Sequence, residues 1–229
     1  MNESNTAILF TGEIHPNNID SFIECTKDIK AVKIASVWNN LDNDSMYKLI
    51  INNFAILKNN IEMQTIFTPQ FVPIINGINF IKLKHCGDIE FILRSRFDIL
   101  SSDYDKYLEK AKDLYSNKIT VISGINSGEM PYFLDIIVCG TTNNMSMFYA
   151  LQSKIDARYP EIFLIENYSN KKELTKDEIR ANLNFSLDIC IKNNIEFIWI
   201  RPESWKSPTR TNPNMKVIEE YCKEEFIWV

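Results

Sequence analysis

The chain has 229 residues, 45% hydrophobic and 24% charged, a balance typical of a globular protein that buries its core in one domain. Its formal net charge of −5 argues against a nucleic-acid partner held through phosphate contacts. Its two histidines exclude a multi-histidine metal centre, and its five widely spaced cysteines, without a CxxC pair, argue against a disulfide framework and a zinc site.

The N-terminal residues carry an acid and no base, which is not typical of a signal peptide. No run reaches the roughly 20 apolar residues that a membrane-spanning helix needs. We therefore expect a cytoplasmic protein in a reducing compartment, with no integral membrane segment.

Short apolar runs alternate with helical patterns along the chain. The predicted strands are Ala7–Thr11, Ala31–Trp38, Glu62–Phe67, Ile89–Leu93, Lys118–Ser123, Phe133–Cys139 and Ile195–Ile200. The predicted helices are Asn18–Lys27, Met46–Leu57, Ile74–His85, Asp103–Leu114, Asn144–Ala157, Tyr159–Ile165 and Lys176–Asn193. The polar, proline-containing segment Lys206–Asn214 predicts a loop.

Strands that alternate with helices predict an α/β fold with a parallel, doubly wound sheet covered on both faces. Such folds bind ligands beyond the carboxyl ends of their strands. The segments expected near a ligand are therefore Thr11–Glu13, Ser36–Asn39, Phe67–Gln70 and Arg94–Asp98.

Several phosphate-binding and catalytic motifs are missing from the sequence. It contains no GxGxxG, GxxxxGK[ST] or GxSxG, which disfavours a dehydrogenase, a P-loop NTPase and an α/β-hydrolase. Phosphates would then need another partner, and a divalent metal held by an acidic residue is the usual one.

The segment Glu90–Leu100 (EFILRSRFDIL) carries the strongest signal, because a buried strand ends there in two arginines and an aspartate. One interpretation is that Asp98 holds Mg²⁺ or Mn²⁺ while Arg94 or Arg96 grips phosphate through its guanidinium group. The alternative is that Arg96 and Asp98 form an ordinary ion pair without a ligand.

The order of several short motifs resembles that of the WavE-type lipopolysaccharide-synthesis glycosyltransferases. The matching positions are Thr11-Gly12, Ser36-Val37-Trp38, Arg96-Phe97-Asp98, Asp135–Thr141 and Tyr159-Pro160-Glu161. The sequence departs from the family at Phe97, which stands where a small polar residue is usual.

This resemblance implies a GT-A-like (Rossmann-like) fold, with a mixed, mostly parallel sheet and helices on both faces. It implies one domain over residues 1–229, with a nucleotide-binding half to about residue 100, an acceptor half to about 205 and a C-terminal tail. It also implies a nucleotide-diphosphate sugar donor, a glycan or lipid-linked saccharide acceptor, and Mn²⁺ or Mg²⁺ at Asp98. The resemblance does not fix the stereochemistry, and we expect inverting transfer.

Two further carboxylates are candidates for catalysis. Asp135 lies within an apolar run, so it must be paired, metal-bound or at a strand end, and it has either a catalytic or a structural role. Glu161 follows Pro160 at a predicted helix start and is the candidate base, although glutamate is common in the first turn for helix-dipole reasons.

The candidate nucleotide-binding residues share a position at or near a strand end. They are Thr11, Gly12, Glu13, Ser36, Trp38, Asn39, Arg94 and Arg96.

These observations leave two main functions open. The first is a metal-dependent glycosyltransferase of polysaccharide biosynthesis. The second is a catalytically degenerate nucleotide-binding or scaffold module of the same fold, which Phe97 keeps open. A nucleotidyltransferase is a third option, disfavoured because no glycine-rich, lysine-containing first loop is visible.

Overall fold

The computed structural model describes residues 5–61, 70–85, 87–115, 117–127, 130–150, 160–200, 214–216 and 227–228. The strands in this part of the chain are β1 (Thr6–Thr11), β2 (Val32–Trp38), β3 (Phe54–Asn59), β4 (Phe91–Arg96), β5 (Ile99–Leu100), β6 (Ile119–Val121), β7 (Gly124–Ser127), β8 (Met130–Phe133), β9 (Ile137–Thr141), β10 (Leu183–Phe185), β11 (Ile198–Ile200), β12 (Asn214–Lys216) and β13 (Ile227–Trp228).

The helices are α1 (Ile19–Thr26), α2 (Asn43–Ile51), α3 (Phe71–Lys84), α4 (Tyr104–Tyr115), α5 (Thr142–Phe148), α6 (Pro160–Ser169), α7 (Lys176–Asn182) and α8 (Leu187–Asn193). A short 3₁₀ turn, Pro16–Asn18, leads into α1.

The main sheet has seven strands in the order β10-β6-β9-β4-β1-β2-β3. Strands β1 to β4 pair in parallel, as does β10 with β6, whereas β9 runs antiparallel to both β4 and β6. The sheet is therefore mixed and mostly parallel.

Alternate side chains of each strand enter two separate cores, as the two-residue period of a strand requires. Ile8 and Phe10 of β1 join a core that contains residues of α1, α2, α4 and α8. Ala7 and Leu9 of β1 join a second core with residues of α3, α5, α6 and α7. Helices thus cover both faces of the sheet, and the predicted Rossmann-like α/β class is confirmed.

Two three-stranded sheets accompany the main one, in the orders β12-β11-β5 and β13-β7-β8. The first of them matters for the site, because β5 follows β4 directly and pairs with β11 near residue 200. The backbone N–H of Ile200 also donates to the carbonyl of Asp98 at 2.8 Å.

The predicted helix Met46–Leu57 is wrong at its C-terminal end. Helix α2 ends at Ile51, the chain reverses at Asn53 in a left-handed conformation (φ 62°), and Phe54–Asn59 forms the edge strand β3. The run Phe-Ala-Ile-Leu suits either element, and its pairing with β2 decides for the strand. The strand predicted at Glu62–Phe67 lies outside the described residues.

Two other predicted elements are interrupted. The run Phe133–Cys139 breaks between β8 and β9 into a turn that contains Asp135. The predicted helix Lys176–Asn193 is split into α7 and α8 by β10, which pairs with β6. In both places a tertiary contact outweighs the local apolar pattern.

The remaining predictions agree with the structure to within a few residues where it describes them. The predicted helix Asn144–Ala157 corresponds to α5, and its part beyond residue 150 lies outside the described residues. The predicted loop Lys206–Asn214 lies outside them up to residue 213.

Candidate active site at the carboxyl ends of the strands

The point where the sheet reverses its direction of growth lies between β1 and β4. The chain moves from β1 outward to β2 and β3, and then returns to the other side of β1 to form β4. Open α/β sheets bind ligands in the crevice at such a switch point, outside the carboxyl ends of the strands. Here those ends are Thr11 of β1 and Arg96 of β4, which are direct partners in the sheet.

A concavity opens beside these strand ends. Gly12 leaves β1 with a φ of 99°, a conformation that favours glycine, and a side chain there would meet no atom within 4 Å. The concavity is lined by Glu13, Ile14, His15, Asn18, Ile19, Phe22, Phe97 and Asp98.

Arg94 is a buried cation whose hydrogen bonds are made inside the protein. Its Nε donates to Thr11 Oγ1 at 3.0 Å, and its Nη1 donates to the carbonyl of Asp135 and lies 3.5 Å from Asp135 Oδ2. The residue is 2% exposed, so it ties β4 to β1 and to the turn before β9. As Asp135 lies in an apolar segment, its pairing meets the requirement inferred from the sequence.

Arg96 and Asp98 form a two-pronged ion pair. Arg96 Nε lies 2.8 Å from Asp98 Oδ1, and Arg96 Nη2 lies 2.7 Å from Asp98 Oδ2. The indole N–H of Trp199 donates to the same Oδ2 at 2.9 Å, and the Arg96 guanidinium lies over the Trp199 ring at 5.6 Å. Asp98 lines the concavity, and the pair is joined to β11 as well as to β4.

Phe97, between these two charged residues, lines the concavity and packs its ring against the core below it. It is 3% exposed, and its ring contacts those of Phe10 and Phe22 at centroid distances of 6.0 and 5.1 Å. The aromatic residue that departs from the family pattern is therefore explained by packing beneath the concavity.

Glu161 lies in the first turn of α6 and is the described carboxylate whose ionisation is most altered near the site. Burial, together with the nearby charge of Asp135, raises the pKa of Glu161 to about 7, while Arg94 and Arg96 act in the opposite direction. The negative charge of Asp135 disfavours ionisation of the buried Glu161, which makes Glu161 a carboxyl group that ionises only near neutral pH. Such a group can accept or release a proton near neutral pH.

Tyr149 belongs to the same surroundings and was not singled out from the sequence. Its hydroxyl is buried without a hydrogen-bond partner among the described residues. Burial raises the pKa of Tyr149, the charges of Asp135 and Glu161 raise it too, and Arg94 lowers it. Its position after α5 shows no local sequence signal for a functional role.

The residues predicted to bind the nucleotide divide into two groups. Thr11 and Ser36 are buried and bonded inside the protein, Thr11 to Arg94 and Ser36 to the carbonyl of Pro73 at 2.7 Å. Trp38 is half-buried, and Asn39 is exposed with its side-chain oxygen accepting from the N–H of Ile61 at 3.2 Å.

Glu13 is exposed, with 80% of its side-chain surface accessible. It lies 4.0 Å from His15, at the rim of the concavity. Glu13 and Asp98 are therefore the predicted site residues that line the concavity directly.

Asn59, at the end of β3, holds a network that sequence reasoning missed. Its amide donates to Ser36 Oγ at 3.0 Å and to the Val37 carbonyl at 2.9 Å, and its oxygen accepts from Asn76 at 2.8 Å. A polar residue at the end of an apolar run was the available signal, hidden because the run was predicted as helix.

Asp98 does not fit the predicted metal site in this arrangement. Both of its oxygens already accept hydrogen bonds from Arg96 or Trp199, whereas Mg²⁺ and Mn²⁺ need free carboxylate oxygens in an open coordination shell. Within the described residues no group of three or more His, Cys, Asp or Glu side chains could hold a metal ion. No helix in the part of the chain that the structure describes is long and apolar enough to cross a membrane.

The fold and the site define a Rossmann-like α/β protein with a charged crevice at its switch point. No known protein family matches the sequence, and no curated protein matches it. A similar backbone is found in a 4-diphosphocytidyl-2C-methyl-D-erythritol synthase from Anaerococcus prevotii, with 10% identity, 77% of this chain and 92% of that chain covered, and a TM-score of 0.47.

A protein assigned as a glucose-1-phosphate thymidylyltransferase from Bacillus anthracis, in complex with sucrose, is similar at 12% identity, with 79% of this chain and 85% of that chain covered and a TM-score of 0.49. Another 4-diphosphocytidyl-2C-methyl-D-erythritol synthase has 12% identity, 81% and 90% coverage, and a TM-score of 0.46. At these values the similarities carry no information about substrate or reaction.

Proposed function

We propose that this chain is a glycosyltransferase that uses a nucleotide-diphosphate sugar as donor and a saccharide hydroxyl as acceptor. The observation that carries the proposal is Glu161, a carboxyl group with a pKa of about 7 beside the paired residues of β4. A base for an acceptor hydroxyl works best when its pKa lies near the operating pH. Strongly shifted carboxylates in a crevice are typical of catalytic sites.

The proposed reaction is a direct displacement. Ionised Glu161 takes the proton of the acceptor hydroxyl as its oxygen attacks the anomeric carbon. The new glycosidic bond forms as the bond from that carbon to the diphosphate breaks, and the nucleoside diphosphate leaves with the bonding electrons. This gives inversion at the anomeric carbon.

The negative charge that develops on the leaving diphosphate needs a cation. Arg96 is the candidate, because it stands at the carboxyl end of β4 with 22% of its side-chain surface accessible, whereas Arg94 is enclosed. A guanidinium group held in one orientation matches the geometry of phosphate oxygens. Asp135 assists indirectly by raising the pKa of Glu161.

The donor would lie along the carboxyl ends of β1, β2 and β4. Trp38 and Asn39, at the end of β2, are proposed to contact the base, and Glu13 can accept hydrogen bonds from ribose or sugar hydroxyls at the rim. A glycan or lipid-linked saccharide is proposed as the acceptor.

A second candidate function is nucleotide binding without catalysis. The observation that favours it is that both oxygens of Asp98 accept hydrogen bonds from Arg96 or Trp199, so Asp98 offers no unoccupied carboxylate oxygen to a ligand. A protein of this kind would hold a nucleotide sugar and release no product.

The test is release of nucleoside diphosphate from UDP-, GDP-, CDP- and dTDP-sugars in the presence of saccharide acceptors. One donor should support turnover, and Glu161→Gln should lower kcat by about 100-fold or more because the base is lost. The affinity for the nucleoside diphosphate should change little, because Glu161 acts on the acceptor.

Glu166→Gln is the matched control, since it changes the same side chain one and a half turns later in α6, where Glu166 accepts from the backbone of Glu173. Its kcat should equal that of wild type. Full activity of Glu161→Gln would overturn the assignment of the base. Nucleotide binding without product from any donor would favour the second candidate.

A further inference from the structure

The contact of Asp98 with Arg96 has a consequence for how the site binds phosphate. We infer that Arg96, held in place by Asp98 and Trp199, binds the diphosphate of a nucleotide directly, and that this binding needs no divalent metal. The inference rests on the proposed nucleotide-sugar function and names the group that takes the place of the metal.

The first argument is that both oxygens of the Asp98 carboxylate already accept hydrogen bonds from other side chains. Its two oxygens accept three hydrogen bonds at 2.7–2.9 Å, and the residue is 7% exposed. A metal ion at Asp98 would have to displace the two-pronged Arg96 contact. It would also break the hydrogen bond that the buried indole N–H of Trp199 donates to Asp98 Oδ2.

The second argument is that Arg96 is oriented in advance. The paired hydrogen bonds to Asp98 fix the plane of its guanidinium group, and the ring of Trp199 lies along it at 5.6 Å. A long side chain normally loses rotamer freedom when it binds a ligand, and these contacts have already restricted it. Arg96 therefore acts as a fixed positive charge at the switch point.

The third argument concerns position. Arg96 is the sheet partner of Thr11, the last residue of β1, and Gly12 leaves open space directly after it. The other arginine of β4 is enclosed by Thr11 and Asp135, and so cannot serve an external ligand. The neighbouring carboxylate of Glu13, at the rim, suits the hydroxyls of ribose or sugar and not the phosphates.

The experiment measures thermal stabilisation and calorimetric affinity for UDP, GDP, CDP and dTDP, each with EDTA and each with Mn²⁺. One diphosphate should bind in EDTA, and Mn²⁺ should change its Kd by less than about twofold. The affinity should fall with added salt, as expected of a charge pair near the surface.

Arg96→Gln should weaken this metal-free binding by about tenfold or more, because it removes a charge-assisted contact. Arg96→Lys keeps the charge, serves as the matched variant, and should lose less affinity. Circular dichroism checks that both variants fold, and the wild-type comparison of EDTA with Mn²⁺ does not depend on either of them.

Two results would overturn the inference and leave the proposed function standing. One is binding that requires Mn²⁺ and disappears in Asp98→Asn, which would restore Asp98 as a metal ligand. The other is metal-free binding that Arg96→Gln leaves unchanged. Failure of every diphosphate to bind under either condition would overturn the proposed function as well.

Discussion

Arg94 and Arg96 are two residues apart on the same strand and on the same face of the sheet, yet their surroundings differ. Arg94 is enclosed between Thr11 and Asp135, while Arg96 lies at the end of β4 and keeps part of its surface accessible. Enclosure suits a residue that holds strands together, and partial exposure suits one that meets a ligand. Position along the strand separates the two roles.

The raised pKa of Glu161 also predicts how the stability of the folded protein depends on pH. The folded protein holds the Glu161 proton up to a pKa of about 7, whereas the unfolded chain releases it near 4.5. The stabilisation from the protonated group is complete below pH 4.5 and is lost as the pH rises to about 7. Glu161→Gln should therefore gain stability relative to wild type between these values, by about 2–3 kcal/mol in the free energy of unfolding.

Urea unfolding of both proteins at pH 4.5, 6 and 8 measures this difference. Asn167→Ala, on the same helix, changes no ionisable group, so any effect on stability should be equal at the three pH values. A difference between Glu161→Gln and wild type that does not grow with pH would contradict the raised pKa of Glu161.

At the scale of elements, the packing of α3 against β1 depends on Gly77. A Cβ added at Gly77 would lie 2.4 Å from a terminal carbon of Leu9, a fully buried side chain of β1. Glycine thus permits a close approach of helix and strand beneath the site.

Gly77→Ala should destabilise the protein by about 1–3 kcal/mol, because overpacking outweighs the helix propensity that alanine adds. Thermal or urea unfolding measures the change. Asn79→Ala, at an exposed position of the same helix, is the matched control and should leave stability unchanged or slightly higher. A stabilised Gly77→Ala protein would show that α3 can shift away from β1 at little cost.

Elements also differ in how far local sequence defines them. The predicted β1, β2 and β4 match the structure closely, because an apolar run of strand length buried on both faces has few alternatives. Strand β3 was predicted as helix, since its identity depends on pairing with β2 and on the left-handed turn at Asn53.

At the scale of the whole molecule, two cysteines report on the integrity of the core. Burial raises the pKa values of Cys139, on β9, and Cys190, on α8, to about 12. Both lie in the same core, on elements far apart in sequence. Because the thiolate is the reactive form, both should resist alkylation in the folded protein.

Iodoacetamide labelling at pH 8, followed by mass spectrometry of peptides, tests this. Cys139 and Cys190 should be labelled only as fast as the protein unfolds, and their rates should rise together in urea. Cys25 is half-buried and provides a comparison within the same sample. Rapid labelling of Cys139 alone in native protein would indicate local opening of β9.

Sequence alone determined the α/β class, most of the parallel strands and the edge of the sheet where polar side chains gather. The elements follow from the periodicity of apolar residues, which is a local property of the sequence. The edge follows from the rule that the carboxyl ends of parallel strands meet at the same side of a sheet. The same rule located Arg96, Asp98 and the turn at Gly12.

Only the tertiary structure decided what these residues do to one another. Trp199 lies 101 positions from Asp98, yet donates a hydrogen bond to it, and this contact joins those from Arg96 at the two oxygens of Asp98. Glu161 likewise owes its raised pKa to burial and to Asp135, which comes from another part of the chain. Burial and charge at a site depend on distances in space, and local sequence patterns do not contain those distances.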